Sequence, residues 1–192
     1  MESGADATGL RDFLRRASAL KDTPRNTLTP AGRRESAAEH SWRLGLIALV
    51  AAPEGLDLGH ALALCLVHDL AEAVTGDIPA STRPDPVAKQ AAERIALADL
   101  LAPAPQGVRA RVTALWEEYE AARTPEARFV RAADKLETVL AHAEGDQAPG
   151  FDWRFNLDYG KGLADAFPTL AALRALADAE TARRADEPPT GA

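Results

Sequence analysis

The stretch "CLVHDLAEAVTGDIPAS", residues 65–81, places His68, Asp69 and Glu72 among the leucines and alanines of a predicted helix. Gly76 is positioned to end that helix. A carboxylate buried beside an imidazole is costly unless another group pairs with both. A metal ion would pair with both, and so would an ordinary buried hydrogen-bonded arrangement. Taken alone, this stretch leaves the two interpretations open.

The length and charge of the chain limit the classes of function. With 192 residues it is long enough for one domain with a substantial hydrophobic core. Its 22 basic and 29 acidic side chains give a formal net charge of −7, which disfavours binding to nucleic acid polymers. A small phosphorylated ligand is not disfavoured, because a local arginine or metal ion can outweigh a distant net charge. Alanine is abundant and β-branched runs are scarce, so we expect an all-α fold.

The sequence gives no indication of a membrane or of an oxidising compartment. The longest apolar run, residues 44–52, is far shorter than the ~20 residues that cross a bilayer. Residues 1–13 lack the basic region and apolar core of a signal peptide. Cys65 is the single cysteine, so an internal disulfide is excluded. We therefore expect a cytoplasmic protein that does not bind membranes.

Apolar periodicity, proline and glycine predict one compact helical domain, residues 1–183, followed by a disordered tail, residues 184–192. Ser36 and Glu39 have the spacing of a capping box, which begins a helix that runs to about residue 50. No strand pair is predicted, and residues 21–34 are interpreted as a loop. The other helices are predicted at about 10–20, 58–75, 85–102, 108–122, 125–143 and 163–184, with an irregular segment at 144–160.

Three of these helices offer side chains that commonly bind metals: His40, then His68 with Asp69, then Asp134. Adjacent helix positions differ by roughly 100°, so His68 and Asp69 converge only on an ion that lies between helices. Each residue alone has an ordinary explanation, with His40 as a partly buried residue at a helix start and Asp134 as a surface ion pair with Lys135. The order in which they occur along the chain is a more specific indication of a metal site than any single residue.

The motifs "ESAAEHSWR", "HDLAEAVTGDIPA" and "RAADKLE" together resemble the HD-domain superfamily of metal-dependent phosphohydrolases. The resemblance runs from about residue 20 to residue 142, and within the superfamily it is strongest to the small 5′-deoxynucleotidase branch. It implies a single helical HD domain. It also implies a metal-dependent phosphomonoesterase that hydrolyses deoxyribonucleoside or ribonucleoside 5′-monophosphates to nucleoside and phosphate.

The resemblance implies a metal site whose ligands are His40, His68, Asp69 and Asp134. Two imidazoles and two carboxylates suit a divalent first-row ion, and Mn, Fe, Co, Ni and Zn all accept this set. No histidine lies between Asp69 and Asp134, so we expect one metal per chain. The remaining histidines have structural interpretations: His60 opens a helix, and His142 ends one, where an imidazolium is favoured by the helix dipole.

The resemblance also implies roles for residues around the metal. Glu72 resembles the acid/base glutamate of the family, and Asp77 resembles an aspartate that hydrogen-bonds the sugar hydroxyl and is the second acid/base candidate. Arg25, in "KDTPRNTL", resembles an arginine that binds the substrate phosphate through its planar fork. As ordinary residues, Glu72 would be a solvated helix residue and Asp77 a turn residue. Residues 26–28 stand where the family commonly has a tryptophan beside the sugar, so discrimination between deoxyribose and ribose stays open.

The sequence is also compatible with two other functions. One keeps the metal but changes the substrate to a nucleoside triphosphate, an alarmone or a phosphorylated secondary metabolite. The other is a non-catalytic helical ligand-sensing module with a relic metal site. In the leading interpretation the partner is a small-molecule nucleotide, and a homodimer is expected from the resemblance alone.

Overall fold

The computed structural model describes residues 2–148 and 150–186, with side chains described from residue 6 onward. Most of these residues lie in helices: α1 (Glu2–Ala17), α2 (Ala37–Ala51), α3 (Leu58–Val67), α4 (Glu72–Thr75), α5 (Pro86–Leu101), α6 (Gln106–Ala121), α7 (Pro125–Glu144), α8 (Trp153–Asp158) and α9 (Pro168–Asp186). Two short strands, β1 (Pro24–Leu28) and β2 (Arg34–Ser36), form an antiparallel hairpin. The predicted all-α fold is confirmed, with this hairpin as a small addition.

The helix α7 lies at the centre of the fold, and α2, α3, α6 and α9 pack around it. One cluster of core residues joins α2, α3 and α7 and includes Leu44 and Phe129. A second cluster joins α1, α5 and α6 and includes Leu97 and Trp116. Polar side chains on the inner faces of α2, α3 and α7 therefore lie in the interior, where each requires a partner.

The predicted helix starts place two of the candidate ligands. The capping box at the start of α2 is confirmed, because the Glu39 N–H donates to Ser36 Oγ at 3.3 Å and the Ser36 N–H donates to the Glu39 carboxylate at 2.9 Å. This start sets His40 in the first turn of α2. At the start of α7, Thr124 Oγ1 accepts a backbone N–H at 3.2 Å and Pro125 occupies the first turn, as predicted.

The interpretation of residues 21–34 as a loop without strands is wrong, because β1 lies there and pairs with β2. The end of β1 is held by a side chain from a distant part of the chain. The Leu28 N–H donates to Gln147 Oε1 at 2.9 Å, and Gln147 Nε2 donates to the Leu28 carbonyl at 3.2 Å. A side-chain amide thus takes the place of a neighbouring strand. The hairpin carries Arg25 into the interior.

The helix predicted at residues 58–75 is interrupted at residues 68–71, which form turns between α3 and α4. The Glu72 N–H donates to the Asp69 carbonyl at 2.9 Å, which is a bond between residues three apart. In such 3₁₀-type geometry, residues i and i+3 lie above one another, so Asp69 and Glu72 point to the same side. Gly76 ends α4 with φ 74°, as predicted.

Other boundaries differ from the sequence predictions in detail. The segment at 144–160, predicted as irregular, contains the six-residue helix α8. The last helix begins at Pro168, after a 3₁₀ turn, and it includes residues 184–186 of the predicted tail. The remainder of that tail, residues 187–192, lies outside the described residues.

The stretch Leu58–Thr75 is long and apolar enough to span a membrane by length and hydropathy alone, with a mean hydropathy of 1.3. The core helix of a folded domain passes the same test, so this is weak evidence. Here the stretch contains the interruption at residues 68–71 and carries the polar side chains His68 and Glu72 into the interior.

Candidate metal centre

Two buried imidazole rings, from His40 on α2 and from His68 at the end of α3, point their Nε2 atoms at each other. These atoms are 3.3 Å apart. The Nδ1 of His68 lies 2.9 Å from the carbonyl oxygen of Cys65, so its N–H donates there and the Nε2 lone pair faces His40. The Nδ1 of His40 contacts the carboxylate of Glu137. Both rings are thus held from behind, as in metal-binding histidines.

Two carboxylates complete the cluster. Asp69 Oδ2 lies 3.0 Å from the Nε2 of His68 and 3.6 Å from the Nε2 of His40. Asp134 Oδ1, from α7, lies 3.2 Å from the same nitrogen of His40. The ligand atoms of His40, His68 and Asp69 are all within 4.8 Å of one another. The structure therefore brings together the four residues that the sequence predicts as metal ligands.

The donor atoms of this cluster fit a divalent cation. Asp69 Oδ2 is buried and has no hydrogen-bond partner among the described residues, an arrangement that is costly unless a cation is present. Burial and the charge of Arg25 oppose protonation of His40, but Glu137 and Asp134 raise its pKa to about 10. The surplus of negative charge is thus strong enough to protonate a buried imidazole. A divalent ion bound at Nε2 would replace that proton.

The second oxygen of Asp134 is already engaged. Its Oδ2 accepts hydrogen bonds from the hydroxyl of Tyr119 at 2.6 Å and from the ammonium of Lys135 at 2.8 Å. Burial opposes the ionised form, but Lys135 and His40 keep the pKa of Asp134 well below its usual range. Lys135 is ion-paired as the sequence interpretation expected, but the pair lines the cavity, with Asp134 buried and Lys135 half-buried. Oδ1 is left as the metal-facing atom.

Arg25, on β1, extends into this cluster. Its Nη2 donates to Thr138 Oγ1 at 3.1 Å, its Nε lies 3.3 Å from Glu35 Oε2, and its Nη1 lies 3.8 Å from Asp69 Oδ2. Burial opposes the charged form, but the negative charge of Asp69 holds the pKa of Arg25 above its usual value. The guanidinium is thus held on two sides, with Nη1 facing the predicted metal ligands.

Glu72 and Asp77 lie beside the same cluster. Glu72 is 5% exposed, and its Oε2 has no partner within the described part of the chain. Burial, together with the charges of Asp69 and Asp77, raises the pKa of Glu72 to about 9. Burial also raises the pKa of Asp77. Interpreting Glu72 as a solvated helix residue is therefore wrong, and its carboxyl group can hold a proton at neutral pH.

Most of these groups line one cavity of about 620 Å³, a volume typical of small-molecule sites, whereas His40 lies fully buried behind it. One end is lined by the predicted site residues Arg25, His68, Asp69, Glu72, Asp77 and Asp134. Asn26 and Thr27, which follow the arginine, also line it. The cavity extends away from the metal cluster toward α5 on one side and α8 on another. It is large enough for an organic phosphate ester, not only for a phosphate ion.

The other two histidines, and two of the tryptophans, have different places. His60 pairs with Glu118 at 2.9 Å, outside the cavity. His142 lines the cavity. Burial lowers its pKa, so the expectation of an imidazolium stabilised by the helix dipole is wrong. Trp42 is 66% exposed on α2. Trp153 packs against the ring of Phe151.

Sequence reasoning assigned no role to Glu137, Tyr119 or Glu35, which support the ligands and the arginine from behind. The signal for Glu137 was available, since it lies three residues after Asp134 on one helix and therefore close to it in space. Tyr119 and Glu35 come from α6 and β2, and nothing in their local sequence indicates where their side chains point.

Comparisons with known proteins agree with this geometry. The HD domain family model matches residues 17–170. The 5′-deoxynucleotidase HDDC2 of Mus musculus is 29% identical over 187 residues, which cover 96% of this chain and 94% of that protein. Its Homo sapiens counterpart is 33% identical over 144 residues, covering 74% of this chain and 71% of the human protein.

A solved structure is similar over nearly the whole chain. It is a predicted metal-dependent phosphohydrolase from Magnetospirillum magnetotacticum MS-1, 33% identical, with a TM-score of 0.80. The match covers 94% of this chain and 95% of that one. The helical arrangement that surrounds the cluster is therefore shared with a protein described as metal-dependent.

Proposed function

The chain belongs to the HD domain family, and we propose that it is a metal-dependent phosphomonoesterase that hydrolyses nucleoside 5′-monophosphates to nucleoside and phosphate. The relatives named 5′-deoxynucleotidase support the substrate class. We propose the reaction for both deoxyribonucleotides and ribonucleotides, because residues 26–28 lack the tryptophan expected beside the sugar.

One observation carries the proposal: the ligand cluster, the buried Arg25 and the buried carboxyl group of Glu72 lie together at one end of a cavity. His40, His68, Asp69 and Asp134 would hold the ion. When bound, a divalent ion supplies Lewis acidity toward a phosphoryl oxygen and lowers the pKa of water that reaches the site. A relic site in a ligand-sensing module would not be expected to keep every one of these groups.

In this proposal Arg25 binds the phosphate of the substrate. The Nη1 of its guanidinium faces the cluster, while Nη2 is engaged by Thr138 and Nε is paired with Glu35. A planar donor group held in this way neutralises charge on the phosphoryl oxygens at little cost in reorganisation. Binding and charge neutralisation would then come from the same side chain.

Glu72 would act as the general acid and base. Hydrolysis of a phosphomonoester releases an alkoxide at the 5′ oxygen, which needs a proton, and attack by water releases one. Burial raises the pKa of this carboxyl group, and a carboxyl group of this kind is suited to give and take a proton beside the phosphate. Asp77, on the same cavity, would accept a hydrogen bond from a sugar hydroxyl, and it is the second candidate for proton transfer.

We further propose one divalent first-row ion per chain, from among Mn, Fe, Co, Ni and Zn. The His and Asp donors support an ion of this class, but they do not distinguish among its members. We also propose a cytoplasmic location, supported by the single, unpaired and buried Cys65. The expected homodimer stays a prediction.

The test of the proposed function is phosphate release from purified protein after chelation and re-addition of each metal singly. The panel contains deoxyribonucleoside and ribonucleoside monophosphates, a nucleoside triphosphate, an alarmone and a non-nucleotide phosphate ester. We expect metal-dependent release of inorganic phosphate with kcat/KM highest on the monophosphates. Pyrophosphate or triphosphate release, or highest kcat/KM on another ester, would contradict the proposed substrate class.

A further inference from the structure

The part of the cavity beyond the metal cluster has a distinct chemistry. We propose that the rings of Phe151, Phe155 and Tyr159, together named the aromatic wall, form a stacking site for the nucleobase of the substrate. This inference rests on the proposed function, and it assigns a place to the part of the nucleotide that neither the metal nor Arg25 contacts. It therefore concerns recognition and not the chemical step.

The three rings line the cavity and are half-buried, whereas the aromatic residues of the core are fully buried. Phe155 and Tyr159 are four residues apart at α8 and its end, so they share one face. Their ring centres are 5.2 Å apart with planes inclined by 29°, which is a stacked arrangement. Phe151 lies 4.7 Å from the ring of His142. Three aromatic side chains therefore line this part of the cavity.

The side chain of Lys135 joins the aromatic wall to the metal cluster. Lys135 donates to Asp134 Oδ2 at 2.8 Å, and its ammonium lies 5.4 Å from the centre of the Tyr159 ring. Gly160 permits this approach, because a Cβ built there would lie 2.4 Å from the Cβ of Lys135. A nucleoside 5′-monophosphate has one sugar between phosphate and base. A ligand with its phosphate at Arg25 can therefore place its base at this wall.

The backbone that carries the wall is fixed from behind by Arg174 of α9. This buried guanidinium donates to the carbonyls of Asn156 at 2.8 Å and Tyr159 at 2.6 Å, and it pairs with Asp178 at 2.7 Å. A six-residue helix is too short to be stable alone, and its last carbonyls need partners. Arg174 supplies them, so the rings are held in place before any ligand binds, which lowers the entropic cost of stacking.

The side of the cavity formed by α5 is less suited to binding a nucleobase. Lys89 pairs with Glu93 at 2.5 Å, and Gln90 donates to Glu120 at 2.9 Å. These polar groups are already satisfied by one another. A flat apolar ring placed over them would remove water from charged groups without replacing their hydrogen bonds. The aromatic wall carries no such cost and gains stacking contacts.

The experiment compares a deoxyribonucleoside 5′-monophosphate with 2-deoxyribose 5-phosphate, which has a hydroxyl group in place of the base. With the metal-loaded wild type we expect higher kcat/KM on the nucleotide. Phe155→Leu keeps apolar volume but removes the ring plane, so kcat/KM on the nucleotide should fall by about 10-fold, mostly through KM. The value for 2-deoxyribose 5-phosphate should not change. Phe155→Trp keeps a ring plane and should retain the preference for the nucleotide.

The control is Trp42→Leu, which removes an exposed ring on α2 and should leave both values unchanged. Thermal unfolding and metal content confirm that the variants are folded and loaded. Equal losses on both substrates in Phe155→Leu, or no loss on either, would overturn the stacking site. A wild type that hydrolyses both esters equally would overturn it too, while leaving a phosphomonoesterase. A wild type that cleaves no nucleotide would instead refute the proposed function, and this inference with it.

Discussion

Arg25 and Asp69 lie side by side at the centre of the candidate site, with Nη1 of the guanidinium 3.8 Å from Asp69 Oδ2. That same oxygen is 3.0 Å from the Nε2 of His68, so the arginine meets the ligand cluster at one of its ligand atoms. An anion that binds Arg25 from the cavity is therefore held against the predicted metal position. Phosphate binding and metal binding are adjacent but use different protein atoms, and variants can separate them.

Replacing Arg25 with alanine should weaken phosphate binding and leave the metal in place. Removing a hydrogen bond to a charged group should lower kcat/KM for monophosphates by about 10- to 100-fold, chiefly by raising KM. Steady-state kinetics and elemental analysis on one preparation measure both quantities. Arg94→Ala, which removes an exposed arginine paired with Glu117, is the matched control. Loss of metal in Arg25→Ala, or an unchanged kcat/KM, would show that the role assigned to this arginine is wrong.

The ligand set predicts the metal content directly. Wild-type protein should carry about one divalent first-row metal per chain, and the His68→Ala, Asp69→Ala double variant should carry almost none. The reason is that these adjacent residues supply two of the four donor atoms, and loss of two ligands abolishes most of the affinity. Elemental analysis after removal of loosely bound ions gives the ratio. Two tightly bound metals per wild-type chain would contradict the single-ion prediction.

Glu137 should tune metal affinity without being a ligand. It contacts the Nδ1 of His40 and thereby orients the ring and increases the basicity of Nε2. In Glu137→Gln we expect metal affinity to fall by about 10- to 100-fold, as measured by competition with a chelator. The control is Glu144→Gln on the same helix, whose carboxylate is exposed and pairs with Arg43. Equal affinities in Glu137→Gln and wild type would mean that His40 is oriented by packing alone.

The sequence predicted most of the long helices well because their start and stop signals are local. The capping box at Ser36 and the proline after Thr124 act within one turn, and both were found where expected. The hairpin was missed because its strands are short, contain a proline and do not alternate apolar with polar residues in sequence. Part of its stability comes from Gln147, which is distant in sequence and whose side chain completes the edge of β1. Such a contact is not visible in a local pattern.

The interruption at residues 68–71 could not be predicted either. The sequence from α3 to α4 keeps a continuous helical composition, so local propensity favours one unbroken helix. The tighter turn aligns Asp69 with Glu72, and it places Asp69 Oδ2 beside the Nε2 of His68. Helix propensity therefore gave the wrong prediction at the candidate site itself, where departures from local preferences are expected.

The raised pKa of Glu72 predicts how the stability of the metal-free protein depends on pH. The folded state keeps this proton up to about pH 9, whereas the unfolded chain loses it near its ordinary pKa of 4.5. Between these values the folded state binds more protons, so this group lowers the free energy of unfolding as pH rises. Glu72→Gln removes that dependence. The free energy of unfolding of Glu72→Gln minus that of wild type should therefore increase by at least about 1 kcal/mol from pH 5 to pH 8.

Chemical denaturation of both metal-free proteins across that pH range measures the difference. Glu180→Gln, at an exposed ion pair on α9, controls for the loss of a carboxylate elsewhere. If the difference between Glu72→Gln and wild type stayed constant from pH 5 to pH 8, the carboxyl group would have an ordinary pKa. Its proposed role in holding a proton at neutral pH would then lose its basis.

The last prediction concerns turnover by the metal-loaded protein. Glu72→Gln keeps the shape and burial of the side chain but removes the group that can give up or take a proton. We expect metal to remain bound, because the four ligands are other residues, and kcat to fall by roughly 10²–10⁴-fold, the usual span for a positioned acid or base. The loss should appear in kcat more than in KM, since proton transfer stabilises the transition state and not the bound ester. A fully loaded Glu72→Gln protein with nearly normal kcat on its best monophosphate would show that the carboxyl group is structural, and Asp77→Asn would then be the variant to measure.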